Sequence, residues 1–188
     1  MRILENDELL IKPTEEGDLN ELMQLRWDED VMSYLLHEPI GMKQQMEWFK
    51  NITGKDVVMT IFLKEKGNLK IIGTTGLYNI NLRHQTATLK LRITTSVQGK
   101  GIGNKLFIMI LDYAFNTLNI RKILSDNFSD NERVAKLKDK LGFVKEGVLR
   151  KHYYHKGEFR DADVYNLFKE DYYKSARVNE VRNSIKYS

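Results

Sequence analysis

Apolar residues along this chain recur with two different periods. Leu9-Leu10-Ile11-Lys12, stopped by Pro13, has the length and composition of a short strand. The spacing then changes: Leu19, Leu22 and Leu25 share one face of a helix, and Asp18 is placed to cap it. After a loop around Tyr34 to Gly41, the pattern predicts a second helix over Met42 to Ile52, with Met46 and Phe49 on one side. Val57 to Leu63 and Leu69 to Leu77 read as strands, and Lys66-Gly67-Asn68 between them supplies the turn of a hairpin. Thr86 to Thr94 sets Leu89, Leu91 and Ile93 against Thr88, Lys90 and Arg92, the alternation of a strand with two unlike faces.

Further along, Gly99, Gly101 and Gly103 open a helix predicted over Asn104 to Leu118. Its Leu106-Phe107-Ile108-Met109-Ile110-Leu111 run is apolar all round and is expected to be buried on most sides. A short strand, Lys122 to Ser125, precedes a helix from Asn131 to Leu141 that Gly142 ends as the residue after the C-cap. A last hairpin joins Gly147 to Tyr154 with Asp163 to Phe168 and turns near Lys156-Gly157. No linker, repeat or low-complexity stretch interrupts this order. Residues 1–174 are therefore expected to form one α+β or α/β single-sheet domain, with 175–188 a polar tail that frays.

Composition narrows the chemistry. The chain has 188 residues and no cysteine, which excludes a disulfide framework, a thiolate metal site and a cysteine nucleophile on the chain. No metal site is expected. No apolar run approaches the roughly 18 residues of a membrane helix, and Met1 to Asn6 lacks the charged-then-apolar pattern of a signal peptide. A cytoplasmic protein without a membrane partner is the resulting expectation. Net charge is +4 and the pI about 9.1, but lysines and arginines alternate with nearly as many acids, so a nucleic-acid partner is not expected. A local basic patch for a phosphorylated ligand is compatible with this distribution.

The informative segment is Val97-Gln98-Gly99-Lys100-Gly101-Ile102-Gly103-Asn104, set between a strand and a buried helix. Glycines let a turn aim several N–H groups at one point, and the helix N-terminus adds positive potential there. The product is an anion cradle that suits a pyrophosphate, with Lys100 as a cation beside it. The spacing departs from a dinucleotide fingerprint, because Asn104-Lys105-Leu106 follows Gly103, and it contains no P-loop Gly-Lys-Ser/Thr.

Gln98-Gly99-Lys100-Gly101-Ile102-Gly103 resembles the Q/R-x-x-G-x-G/A coenzyme A loop of the GNAT N-acetyltransferases. Asn131 to Phe143 resembles a second signature of that family, in which an asparagine opens a helix and Gly-Phe closes it. Glu146 to Asp161 is similar to the final hairpin of its ribosomal-protein N-terminal and polyamine (spermidine) acetyltransferase branches. The resemblance covers about residues 8 to 173. It implies an α+β fold, an α/β sandwich of GNAT type: a mixed, mostly antiparallel, splayed sheet of about seven strands flanked by about four helices. It also implies acetyl-CoA as co-substrate and direct attack of an amine on the thioester. Carried over, the backbone of Leu91 and Ile93 would hold pantetheine. Gln98, Gly99, Lys100, Gly101, Ile102, Gly103 and Asn104 would hold the pyrophosphate, and Asn131 would touch the pantetheine arm.

Many family members carry a thiolate-protonating tyrosine where this chain has Lys138. At about 100° per residue, Asn131 and Lys138 lie within roughly 20° of each other on the helix. Lys138 is thus the candidate to stabilise or protonate the departing thiolate, the alternative being a solvated surface lysine. No general base can be named, since Thr86-Ala87-Thr88-Leu89 offers no glutamate. The acceptor pocket implied by the resemblance is walled by Trp27 to Ile40 and Leu149 to Arg160, with Trp27, Tyr34, Glu38 and Tyr153 as candidate contacts. Asp28 to Tyr34 and Glu38-Pro39 resemble the corresponding loop of spermidine acetyltransferases. Arg150-Lys151 fits a polyamine less well than an amino-sugar nucleotide. The acceptor is thus a small-molecule amine, amino sugar or polyamine, with a peptide N-terminus as the second reading. A non-catalytic coenzyme A-binding module is the third, and a homodimer is compatible with all of them.

Overall fold

The computed structural model describes residues 3–27, 40–52, 55–175, 178 and 181–187. In chain order the strands are β1 (Leu4–Glu5), β2 (Leu9–Pro13), β3 (Val57–Glu65), β4 (Asn68–Asn81), β5 (Thr86–Ile93), β6 (Lys122–Phe128), β7 (Val144–His155), β8 (Glu158–Phe168) and β9 (Lys186–Tyr187). The helices are α1 (Leu19–Leu25), α2 (Met42–Lys50), α3 (Ile102–Asp112), α4 (Glu132–Lys140) and α5 (Lys169–Lys174). The strands form one sheet in the order β7-β8-β6-β5-β4-β3-β2-β1-β9. All neighbours are antiparallel except β5 and β6. Among the described residues there are nine strands and five helices, where about seven and about four were expected.

The two faces of the sheet are covered unequally. Leu106, Ile108, Met109, Ile110 and Leu111 of α3 are fully buried, and they pack in one cluster with Ile11, Ile61, Ile72 and Leu89 from the sheet. The opposite face carries a smaller cluster of Leu22, Phe62 and Ile71 under α1. The apolar run in α3 is thus central because it is apolar on every side. Asp112 ends it, and α3 then relaxes into a wider turn, in which Leu118 N–H donates to the Tyr113 carbonyl at 3.2 Å.

Several local expectations need correction. Asp18 does not cap α1 with its own side chain; a 3₁₀ turn over Glu16–Asp18 precedes the helix, and Asp18 Oδ2 accepts from Glu15 N–H and Thr60 Oγ1 instead. α3 begins at Ile102, two residues before the predicted start, and β6 runs on to Phe128. The described residues beyond Lys174 pack against the domain rather than fray. Val178 is fully buried, β9 pairs with β1, Arg182 Nε lies 2.6 Å from Asp112 Oδ1, and the Tyr187 hydroxyl donates to Asp112 Oδ2. The physical reason is Asp112 itself. A carboxylate buried at the end of an apolar helix requires partners, and the tail supplies them.

Candidate active site

β5 and β6 are paired over only three residues, Thr86–Thr88 against Lys122–Leu124. Beyond that point β5 stays on β4 as far as Ile93, and its other edge opens onto a gap. Thr94 N–H donates to the Ile72 carbonyl at 2.8 Å. Strand alternation then turns the main-chain groups of Arg92 toward β4 and those of Leu91 and Ile93 toward the gap. The strand order explains the splay: β6 is hydrogen-bonded along its whole length to β8, so it follows the final hairpin rather than β5.

The gap leads to the glycine loop. Gly99 has φ 78° and Gly101, the N-cap of α3, has φ 80°. A Cβ added at either would meet no atom within 4 Å, so these positions face open space, and only glycine adopts this backbone without strain. Gly103 has a different role: its Cβ would lie 3.8 Å from Ile93 Cδ1 and 3.9 Å from Leu137 Cδ2, where α3 approaches β5 and α4. Ile102 and Asn104 are buried, and Asn104 Oδ1 has no hydrogen-bond partner. Lys100 is exposed. The free N–H groups of the first turn of α3 and its dipole point into this concavity, which suits a diphosphate.

α4 walls the same gap. Asn131 caps it, with Val134 N–H donating to Asn131 Oδ1 at 3.2 Å. Arg133 Nη1 donates to Gln98 Oε1 at 2.5 Å, and Gln98 Nε2 donates to the Ile93 carbonyl at 3.5 Å. This relay ties the loop to both β5 and α4. Lys138 is only 1% exposed, so it is not the solvated surface lysine. Its Nζ donates to Asn127 Oδ1 at 2.8 Å and lies 4.6 Å from the centroid of the Tyr165 ring. Burial pushes its pKa down to about 7, against the opposing pull of Asp126 and Asp163. Asn127 stands on β6 past its last pairing with β5, so the ammonium belongs to the β6 wall of the gap. Tyr153 is in the same cluster, its hydroxyl donating to Asp126 Oδ2 and its ring edge-on to Phe128.

On the opposite face of β5 lies a small cleft between α1, α2, β4 and β5. Arg26, which ends α1, and Arg92 both line it, together with Gln45, Trp48 and Thr74. Burial holds both guanidiniums below their ordinary pKa, and the like charge of Arg92 adds to the effect on Arg26.

Residues 8–144 match the family of the acetyltransferase (GNAT) domain. The chain belongs to the GNAT acetyltransferase family. Its activity class is acetyl transfer from acetyl-CoA to an amine. Curated relatives include a spermidine N(1)-acetyltransferase of Vibrio cholerae, 31% identical over 83% of this chain and 90% of that protein. The corresponding Escherichia coli enzyme is 28% identical over 86% of this chain and 87% of its own length. The crystal structure of the Vibrio cholerae enzyme with CoA and spermine superimposes with a TM-score of 0.80 at 27% identity, covering 89% of this chain and 99% of that one.

In this GNAT chain the structure sets Gln98 to Asn104 at the end of the strand that carries Leu91 and Ile93; α4, capped by Asn131 and carrying Lys138, meets this loop through Leu137 and Arg133. The acceptor candidates do not gather. Tyr34 and Glu38 lie outside the described residues. Trp27 is 52% exposed, donates from Nε1 to the Ile40 carbonyl at 3.2 Å, and does not line the cleft. Tyr153 stands on the hairpin side, with Asp126. Arg133, Asn127, Arg26, Arg92 and Gln45 were not singled out from the sequence. Arg92 had a signal, since it sits on the polar face of the Thr86 to Thr94 alternation, a face that two amphipathic helices had to cover.

Proposed function

We propose that the chain acetylates the primary amine of a small molecule, with the acetyl-CoA thioester held in the gap between β5 and β6. The carrying observation is the departure of β6 from β5 after Thr88, upstream of a glycine loop in which Gly99 and Gly101 face open space. In this reading the main chain of Leu91 and Ile93 bonds the pantetheine amides, and Asn131 Nδ2 adds a donor. Gln98 to Asn104 cradle the diphosphate, with Arg133 and Lys100 as neighbouring cations.

Acetyl-CoA supplies the activated acyl carbon. A neutral amine attacks it, the C–S bond breaks, and the departing sulfur needs a proton. Lys138 is the group we assign to that proton. A pKa near 7 keeps a usable fraction of the ammonium charged at neutral pH and ready to lose its proton. Asn127 holds the Nζ in place, and Tyr165 shields it from water. The cysteine-free chain suits a reducing cytoplasm.

Calorimetric titration with acetyl-CoA tests the reading. The wild type is expected to bind in the micromolar range. Gly101→Glu, which sets a carboxylate in the open space of the cradle, is expected to weaken binding at least about 100-fold while the chain stays folded. A folded wild type that does not bind acetyl-CoA overturns the reading.

A further inference from the structure

Two arginines share the cleft on the face of β5 that the gap does not use. Leu91 and Ile93 turn their side chains into the main core, so Arg92 between them projects to the other side, toward Arg26. No described carboxylate forms an ion pair with either one. Arg26 lies over the Trp48 ring at 5.5 Å from its centroid, a contact that holds a cation without neutralising it. Gln45 is 1% exposed, lines the same cleft, and its Oε1 has no partner.

The buried carboxylates among the described residues each have a partner. Asp112 has Arg182 and Tyr187, Asp163 has Lys145 and Ser129, and Asp18 has Thr60. Gathering two desolvated cations beside an orphaned amide oxygen costs stability, and such local inconsistencies mark binding sites. Among the described residues the partner these cations lack is an anion, and Gln45 Oε1 can accept from a hydroxyl or N–H beside it, so the ligand carries an acidic group in addition to the amine that is acetylated. Arg92 stands on the same strand as Leu91 and Ile93, in the stretch of β5 that β6 leaves unpaired, so an anion resting on the arginines lies close to where a small acceptor's amine would react.

We propose that this cleft holds the carboxylate or phosphate of the acceptor, so that the chain acetylates an anion-bearing amine rather than a free polyamine. The proposal rests on the acetyl-transfer reading above and adds its substrate class. A polyamine presents only cations, which Arg26 and Arg92 repel.

The test compares matched acceptors under saturating acetyl-CoA: glucosamine 6-phosphate with glucosamine, and an amino acid with its methyl ester. The first pair probes a phosphate and the second a carboxylate. In at least one pair the anionic member is expected to have a kcat/KM at least tenfold higher, with spermidine below it. Arg92→Gln is expected to cut that ratio at least tenfold. Equal rates within both pairs, preference for spermidine, or a ratio that Arg92→Gln leaves unchanged would each overturn the proposal. A second readout needs no turnover. With Trp27→Phe leaving Trp48 as the reporter, inorganic phosphate or acetate should give a saturable fluorescence change that Arg26→Gln and Arg92→Gln abolish; response to neither anion overturns the proposal. Arg92→Gln is expected to melt no lower than the wild type, because it removes an unpaired charge. Failure of acetyl-CoA to bind would sink the acetyl-transfer reading, whereas the anion titration would still report on the cleft alone.

Discussion

The glycine loop and the arginine cleft lie at the same end of one strand, β5, and both are suited to anions, yet they are built from opposite materials. The loop is seven consecutive residues, Gln98 to Asn104, that offer main-chain N–H groups and the absence of side chains at Gly99 and Gly101. Its positive potential comes from peptide dipoles already aligned by α3, so little charge is desolvated to make it. The cleft draws Arg26, Gln45, Thr74 and Arg92 from four elements and uses formal charges that the fold has partly withdrawn from water. A dipole cradle recognises a diphosphate wherever one occurs, which suits a co-substrate shared across a family. A side-chain cleft can change by single substitutions, which suits an acceptor that differs between relatives.

A Cβ added at glycine separates the two most sharply. At Gly101 the new atom meets nothing, so the cost is limited to the strain of the left-handed backbone, about 1–2 kcal/mol. Gly73 lines the cleft, and a Cβ there would stand 2.0 Å from the Arg92 carbonyl oxygen and 2.9 Å from Ile93 Cα. Backbone cannot yield as a side chain does, so Gly73→Ala should force β4 and β5 apart. We expect a loss of about 3 kcal/mol or more, read as a fall in Tm of roughly 10 °C. A Gly73→Ala protein that melts with the wild type would show that the strand pair adjusts freely.

Lys138 reaches from α4 to Asn127 on β6 and the Tyr165 ring on β8. Lys138→Met keeps its bulk and removes its proton. We expect kcat to fall about 100-fold, the range of a lost proton donor, and the decline of the wild-type kcat/KM above a pH of about 7 to disappear. Stability supplies an independent check with a definite sign. Between about 7 and the ordinary 10.5, the unfolded chain holds a proton at this lysine that the folded chain does not. Folding therefore gains from this group as pH rises through that window, and the full cost of burying the cation applies below it. Wild-type Tm should climb relative to Lys138→Met between pH 7 and pH 9. A constant difference would mean that Lys138 does not titrate there.

A smaller effect is expected at Arg133. Its bond to Gln98 is the one side-chain strut between α4 and the glycine loop among the described residues. Arg133→Ala should raise the Kd for acetyl-CoA about fivefold and leave kcat unchanged, with the loss shrinking at high salt as expected for an exposed cation. If Arg133 acts on the loop through Gln98, adding Gln98→Ala to the first substitution should cost less than Gln98→Ala alone.

These regions also differ in how far they could be read beforehand. Gly99 to Gly103, the Asn131 cap, the Lys66-Gly67 and Lys156-Gly157 turns and the alternation of β5 are local patterns, and all were legible as runs of neighbouring residues. The tail was not. Its role depends on Asp112 needing partners from residues 182 and 187, a pairing that no short window contains. Lys138 was legible as a position on a helix face, but the burial that lowers its pKa comes from packing against other elements. The arginine cleft was hidden for the same reason: Arg26 reads as an ordinary helix-end cation until Arg92 is folded against it.

Asn131 is the residue on which local and distant readings can be separated, because it is both a helix cap and a candidate contact for pantetheine. Its Oδ1 is committed to Val134 N–H, while its Nδ2 is the group that would meet the cofactor. Asn131→Ala removes both and should cost about 1 kcal/mol of stability, a Tm fall of roughly 3 °C. Asn131→Asp keeps the cap oxygen and adds a favourable charge at the N-terminus of α4, but removes the amide donor. We expect it to melt with the wild type and to bind acetyl-CoA severalfold more weakly. Normal binding by the aspartate variant would leave Asn131 a cap and nothing more, and the asparagine of this signature would then be explained by helix geometry alone.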